Sequence, residues 1–204
     1  MTLGTLYIVS APSGAGKTSL ITAMLETVEG IKVSVSHTTR PMRDGEVDGQ
    51  HYHFVDKEAF EKDIENNLFL EHADVFGNYY GTSHTAVNEQ LSKGIDVILE
   101  IDWQGAQQIR VLAPDTRSIF ILPPSISELE SRLIKRNQDA SDVIAKRVAQ
   151  AKEDVTHYNE YDHVIINKDF ETALMDLKSI FISQRTQREK LEKREAETLK
   201  QLIS

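Results

Sequence analysis

Leu6-Tyr7-Ile8-Val9-Ser10-Ala11-Pro12-Ser13-Gly14-Ala15-Gly16-Lys17-Thr18 is the stretch that decides the fold. An apolar run opens it, a glycine-rich loop follows, and a helical pattern begins near Ser19, with Leu20, Met24 and Val28 on one face. Strand, loop and helix in that order, closing on Gly16-Lys17-Thr18, form the context of a phosphate-binding P-loop. In such a loop successive backbone N–H groups turn inward at a helix N-terminus and make an anion nest. Gly14 and Gly16 admit backbone angles that L-residues resist, and they let the chain approach phosphate oxygens closely. Lys17 is placed to reach the β- and γ-phosphates, and Thr18 to offer its hydroxyl to Mg²⁺. Ala11 stands where the pattern has its first glycine.

Outward from this loop, apolar strands alternate with amphipathic helices. Strands are predicted at 32–36, 52–55, 96–101, 117–122 and 163–167, with helices at 19–28, 56–66, 86–92, 104–112, 143–158 and one long helix from 170 onward. A further helix is expected after Ser125, where Ser125-x-x-Glu128 reads as a capping box. Asp56 reads as an N-cap. Residues 38–49 carry two glycines and a proline and read as a loop, and Gly77-Asn78 joins short strands at 69–76 and 79–80. The alternation implies an α/β fold with a mostly parallel sheet and helices on both faces, whose ligands sit at the carboxyl ends of the strands. The polar, aromatic texture of 37–88 suggests an inserted α+β lobe.

Composition narrows the function. The 204 residues suit one domain with an inserted lobe. The net charge of −9 argues against nonspecific nucleic-acid binding. No cysteine is present, so disulfides, thiolate nucleophiles and cysteine-ligated zinc are excluded. No apolar stretch approaches the ~20 residues that span a bilayer, and no signal segment precedes the first strand, so a cytoplasmic location is expected. The charged tail of the last helix suits a solvated surface, with a dimer contact as the alternative.

Several groupings carry chemistry. The strand Val97-Ile98-Leu99-Glu100-Ile101-Asp102 ends in carboxylates, as a P-loop nucleotide enzyme needs to hold Mg²⁺ through water. Arg40 and Arg43 lie in a loop beside Ser36, Thr38 and Thr39, either as phosphate-gripping forks or as surface arginines paired with Asp44 and Glu46. Arg132, Arg136 and Arg147 flank a polar break at 137–141, either as a lid closing cations over a transferring phosphoryl group or as solvated helix faces, with Glu128 at helical spacing from Arg132. Glu71, Tyr80 and Thr82 surround the Gly77-Asn78 turn, where a buried carboxylate can accept the N1–H and N2–H₂ donors of a guanine edge. His51 and His53 share a strand face with no third metal ligand near them in sequence.

With these motifs in order, the chain resembles a guanylate kinase of the compact bacterial type. The resemblance runs through Ser-Ala-Pro-Ser-Gly-Ala-Gly-Lys-Thr (10–18), Val-Ser-His-Thr-Thr-Arg-Pro-Met-Arg (35–43) and Gly-Glu-Val-Asp-Gly-Gln-His-Tyr-His-Phe (45–54). It continues through Gly-Asn-Tyr-Tyr-Gly-Thr (77–82), Glu-Ile-Asp-Trp-Gln-Gly (100–105) and Ala-Lys-Arg (145–147). It implies transfer of the γ-phosphoryl of ATP to GMP with Mg²⁺, with dGMP as a further acceptor left open. It implies one P-loop domain: a core of 1–36, 89–124 and 151–204, a GMP-binding lobe at 37–88 and a lid at 125–150.

By that resemblance Ala11, Pro12, Ser13, Gly14, Ala15, Gly16, Lys17 and Thr18 hold ATP, joined by Arg132, Arg136 and Asn167. Arg40, Arg43, Tyr52 and Tyr80 grip the GMP phosphate, and Ser36, Glu71, Thr82 and Asp102 read guanine. Glu100 and Arg147 complete the GMP site, and Lys17, Arg40, Arg43, Arg136 and Arg147 carry the catalytic charge. Thr18 ligates Mg²⁺ directly, with Glu100 and Asp102 acting through water. No nucleic acid or membrane partner is implied, and a homo-oligomer is compatible with the sequence. Besides Ala11, three residues depart from the family pattern: Glu100 for Asp, Thr82 for Ser, and Asn137 for the glycine after Arg136. Two rival readings are a non-catalytic guanylate-kinase-like module that binds partner proteins and a P-loop kinase for another small phosphorylated acceptor. The intact Gly16-Lys17-Thr18 opposes the first, and Glu71 with Ser36 opposes the second.

Overall fold

The computed structural model describes residues 4–75, 77–136 and 141–204. The chain runs β1 (Leu6–Ser10), α1 (Lys17–Leu25), β2 (Ile31–Val33), β3 (His37–Thr38), β4 (His53–Phe54), α2 (Lys57–Glu65), β5 (Phe69–Val75), β6 (Asn78–Ser83) and α3 (His84–Ser92). It continues with β7 (Asp96–Glu100), α4 (Trp103–Leu112), β8 (Arg117–Leu122), α5 (Ile126–Arg136), α6 (Ser141–Val155), β9 (His163–Ile166), α7 (Phe170–Arg185), α8 (Arg188–Arg194) and α9 (Ala196–Leu202). Two compact units emerge, one of Ala11–Gly30 with Ile119–Ser204 and one of Thr2–Ser10 with Ile31–Ser118. Among the described residues no helix is long and apolar enough to cross a membrane.

In the second unit β7 pairs in parallel with both β1 and β2, with Leu6 opposite Val97 and Val9 opposite Glu100. Every residue of β1 is buried, which explains its unbroken apolar run. The same unit holds a small sheet in the order β4-β3-β6-β5. Its β5–β6 hairpin turns where the Gly77 N–H donates to Asp74 Oδ1 at 2.8 Å, with Gly77 at a φ of 78°. Phe60 of α2 is fully buried and stacks on Phe69 at 4.5 Å, closing one side of this sheet. Asp56 caps α2 by accepting from the Ala59 N–H at 2.7 Å, the role its sequence position predicts.

In the first unit β8 and β9 pair in parallel, with Ile119 opposite His163. Ser125 Oγ accepts from the Glu128 N–H at 3.1 Å and starts α5. Helices α5 and α6 meet through Leu129, Leu133 and Ala151, with Ile144 and Val148 packed against them.

Three expectations need correction. The 38–49 segment is not wholly loop, because Thr38 lies in the two-residue strand β3. The isolated sequence hides it because a short, polar strand carries no alternation and depends on its neighbours for pairing. The predicted helix at 143–158 begins at Ser141 and gives way to a tight 3-10 turn at Thr156–Glu160. The predicted single long helix from 170 is three helices. Gln187 adopts ψ 133° and Glu195 φ −110°, so the chain leaves the helix at both points. Neither α8 nor α9 has a buried residue, so nothing in packing overrides these breaks.

Candidate functional site

The loop after β1 wraps as the sequence pattern requires. The Ala15 N–H donates to the Pro12 carbonyl at 3.1 Å, and the Leu20 N–H to the Gly16 carbonyl at 3.1 Å, opening α1. Gly16 is the N-cap of α1 at a φ of 96° in the left-handed region, and Gly14 has a φ of 91°. A Cβ on Gly16 would collide with Asn167 Nδ2, and one on Gly14 would lie 3.2 Å from Leu133. The glycines thus serve both conformation and clearance. Ala11, at the position where the pattern has glycine, is buried. Lys17 is half-buried at the first turn of α1, and among the described residues its ammonium has no partner. Ser13 is half-buried, and Thr18 exposes its side chain beside it.

Two side chains hold this loop from outside. Asn167, at the end of β9 and buried, donates from Nδ2 to the Ala15 carbonyl at 2.8 Å. Arg132 of α5 donates to the Ala15 carbonyl at 3.4 Å and to the Asn167 carbonyl at 3.2 Å, while its Nε meets Glu128 at 2.9 Å. The reading of Arg132 as a solvated face paired only with Glu128 is therefore incomplete. Arg147 is half-buried on α6. The Arg136 side chain and Asn137 lie outside the described residues.

The second unit gathers the other predicted residues. Glu71 of β5 is 3% exposed, and its Oε1 accepts from Thr82 Oγ1 at 2.6 Å. Ser36 Oγ lies 3.3 Å from Thr82 Oγ1, and because the Thr82 hydroxyl donates to Glu71, Ser36 is the donor in that pair. Burial pushes the Glu71 carboxyl up to about 7. The Thr82 hydrogen bond works against this, and the charge of Asp102 works with it. Asp102 is the N-cap of α4, and its side chain makes no cap hydrogen bond, which leaves the carboxylate available. Glu100 is half-buried at the end of β7.

Arg40 sits in an aromatic and acidic cradle. Its guanidinium forks onto Glu46 at 2.7 Å and 3.0 Å and lies 5.5 Å from the Tyr52 ring and 5.7 Å from the Phe54 ring. The hydrogen bond to Glu46 holds the Arg40 pKa above its ordinary value and, reciprocally, holds Glu46 below its own. Tyr52 and Tyr80 meet edge to face at 5.9 Å. Burial pushes the Tyr52 hydroxyl up to about 12, with the nearby charges of Tyr80 and Glu100 adding to it, so it stays protonated as a donor. Arg43 is exposed, and its backbone N–H donates to Glu46 Oε2 at 2.7 Å. Glu46 thus orders the whole arginine loop, a role between the two readings of that loop as phosphate grip or surface ion pair.

A family model described as guanylate kinase matches residues 3–184. The chain belongs to the guanylate kinase family. A guanylate kinase from Vibrio parahaemolyticus is 64% identical over 189 residues, 92% of this chain and 91% of that one. One from Haemophilus influenzae is 58% identical, with each chain covered in full. The crystal structure of guanylate kinase from Anaplasma phagocytophilum superposes with a TM-score of 0.76 at 33% identity, covering 95% of this chain and 96% of that one.

One residue of this guanylate kinase fold, Phe54, was not among the predicted contributors. Phe54 had a signal, since it stands two residues from Tyr52 and so shares its face of an extended strand. Asn167 was expected at the ATP site, but its tether to the Ala15 carbonyl, 152 residues away, had no signal in the sequence. His51 and His53 do not converge on a metal. The His51 Nδ1 accepts from the Val47 N–H at 3.0 Å, the His53 ring packs tilted against that of His37 at 4.7 Å, and among the described residues no cluster of three ligands exists.

Proposed function

We propose that this protein transfers the γ-phosphoryl group of ATP to GMP, giving ADP and GDP. The observation that carries this reading is the Ser36–Thr82–Glu71 hydrogen-bond chain, buried at Thr82 and Glu71. An ionised Glu71 is an acceptor with two oxygens, and guanine offers two adjacent donors, N1–H and N2–H₂. Adenine has no such donor pair, and cytosine and uracil do not match the carboxylate in the same way. Asp102 adds a second acceptor in this unit. Arg40, Arg43, Tyr52 and Tyr80 supply donors for the 5′-phosphate of GMP.

The chemistry needs no covalent nucleophile. A phosphate oxygen of GMP attacks the γ-phosphorus in line, the bond from that phosphorus to the β,γ-bridging oxygen breaks, and ADP departs. Catalysis is positioning and charge neutralisation. The amides of residues 11–18 and Lys17 hold the ATP phosphates. Arg136 and Arg147 bring positive charge to the transferring group, with Arg132 and Asn167 supporting the ATP site. The hydroxyl and carboxylate oxygens of Thr18, Glu100 and Asp102 are hard donors that would suit Mg²⁺, with Thr18 as the direct ligand and the other two holding it through water. The ion supplies neutralisation of phosphate charge when bound.

Under this reading 37–88 is the GMP-binding lobe, 125–150 the lid and the remainder the core. The cytoplasm, where ATP and GMP are held, is where it works. The same base and phosphate contacts serve dGMP. ADP formation by the purified protein with ATP and Mg²⁺ tests the reading across GMP, AMP, CMP, UMP and no acceptor. Turnover is expected with GMP. Turnover with a different acceptor instead would remove the guanine assignment and keep the phosphate loop.

A further inference from the structure

Helix α4 meets β5 through two residues one turn apart, Gly105 and Gln108. Gly105 is buried in the first turn of α4. A Cβ built there would stand 2.5 Å from Glu71 Oε2 and 3.2 Å from the Glu71 carboxyl carbon. Glycine is a poor helix former, and Gly105 is not among the residues with positive φ. What glycine supplies at this position is space, and the Glu71 carboxylate fills it.

Gln108 acts one turn further on. Its Nε2 donates to the His72 carbonyl at 2.7 Å, and its Oε1 accepts from the His72 N–H at 3.2 Å. Strand β5 is the outer strand of the small sheet, so a side-chain amide here pairs with the free edge as a neighbouring strand would. The residue so held is next to Glu71. The strand register shifts between Phe69 and Glu71, so the Gln108 clamp on His72 holds β5 directly after an irregular step. Thr82 takes Oε1, and the Gly105 backbone bounds Oε2.

We propose that Gly105 and Gln108 are positioning residues that set Glu71 for guanine and thereby set the preference for a purine bearing a 2-amino group. The inference rests on the reading of Glu71 as the guanine acceptor. A carboxylate in register accepts from both N1–H and N2–H₂ of GMP. Inosine monophosphate (IMP) keeps N1–H and lacks the 2-amino group, so a displaced carboxylate loses more toward GMP than toward IMP.

The test is steady-state kinetics with GMP, IMP and ATP for Gly105→Ala, Gln108→Leu and Glu71→Gln. Gly105→Ala is expected to raise the KM for GMP about ten- to a hundredfold. The KM for ATP is expected to hold and the GMP-to-IMP preference to fall. Glu71→Asp added to Gly105→Ala withdraws the carboxylate by one methylene and is expected to recover part of that preference. Gln108→Leu intrudes on nothing, and the same direction at smaller size is expected from it even if the alanine variant does not fold. Unchanged GMP kinetics in Gly105→Ala and Gln108→Leu, or equal losses for GMP, IMP and ATP, would overturn the positioning role. Selective damage by Glu71→Gln would then keep the guanine reading standing. If Glu71→Gln leaves GMP use intact, the guanine reading and this inference both fall.

Discussion

Under the proposed function, the phosphate loop and the small sheet solve recognition in opposite ways. The loop is one contiguous stretch, and its donors are backbone N–H groups whose direction follows from two glycines at φ of 91° and 96°. The proposed guanine site draws on side chains at 36, 71, 82 and 102, on segments that are neighbours only in the fold. The small sheet holds a carboxyl raised to about 7 and a phenol raised to about 12. A diffuse anion is held well by a fixed backbone nest, whereas telling one base from another needs an acceptor taken out of water.

That contrast is most directly broken at Lys17. Lys17→Ala is expected to lower turnover about a thousandfold or more while far-UV circular dichroism and GMP binding stay near wild type. Retained turnover would mean that the amides suffice and that the half-buried ammonium is idle.

The small sheet should respond to pH. A guanine edge needs the ionised form of Glu71, so binding must drive off a proton below about pH 7. Guanosine, which has no titrating phosphate, is expected to bind up to about a hundredfold more weakly at pH 5 than at pH 7. Calorimetry in two buffers of different ionisation enthalpy should show net proton release near pH 6. A pH-independent affinity would mean that Glu71 is already ionised or does not touch the base.

The same carboxyl sets a stability trend. Its folded pKa lies above its unfolded value of 4.5, so its stabilising effect is full below about pH 4.5 and is lost as pH rises through about 7. Glu71→Gln removes the cost of burying charge. At pH 8 that variant is expected to be about 2–3 kcal/mol more stable than wild type, with the difference closing toward pH 5. Urea melts at both pH values measure it. A destabilised variant at pH 8 would show that the Thr82 hydrogen bond outweighs desolvation.

The smallest expected effect sharpens the comparison from the loop side. Asn167→Ala removes the 2.8 Å bond to the Ala15 carbonyl. The KM for ATP is expected to rise about tenfold and the KM for GMP to stay, because one lost hydrogen bond to a buried acceptor acts only on the loop it orients. Equal changes in both would make Asn167 a general stability residue.

Legibility followed the range of the interactions. Asp56 as an N-cap and Ser125 with Glu128 at the start of α5 depend on partners three residues away; the structure has the Asp56 cap and the Ser125 half of the box, while the Glu128 carboxylate meets Arg132. The strand β3 was hidden because it is two polar residues long and exists through its pairing with β4 and β6. The long terminal helix was overread because a charged run has good helix propensity, whereas the breaks at Gln187 and Glu195 follow from the absence of a packing face. Arg40 showed the same divide. Its residue type announced an anion or a carboxylate, but only the fold put Glu46, Tyr52 and Phe54 around it.

The sequence by itself determined the phosphate loop, the alternation of strands and helices, and the acidic end of β7, since each is set by the dihedral freedom or periodicity of adjacent residues. Tertiary structure alone decided that Asn167 and Arg132 hold the Ala15 carbonyl, and that Glu71 is buried against Gly105 under a Thr82 hydrogen bond. Burial and desolvation are properties of surroundings that the chain brings together from distant positions. The chemistry of Glu71 therefore became readable only once those surroundings were in place.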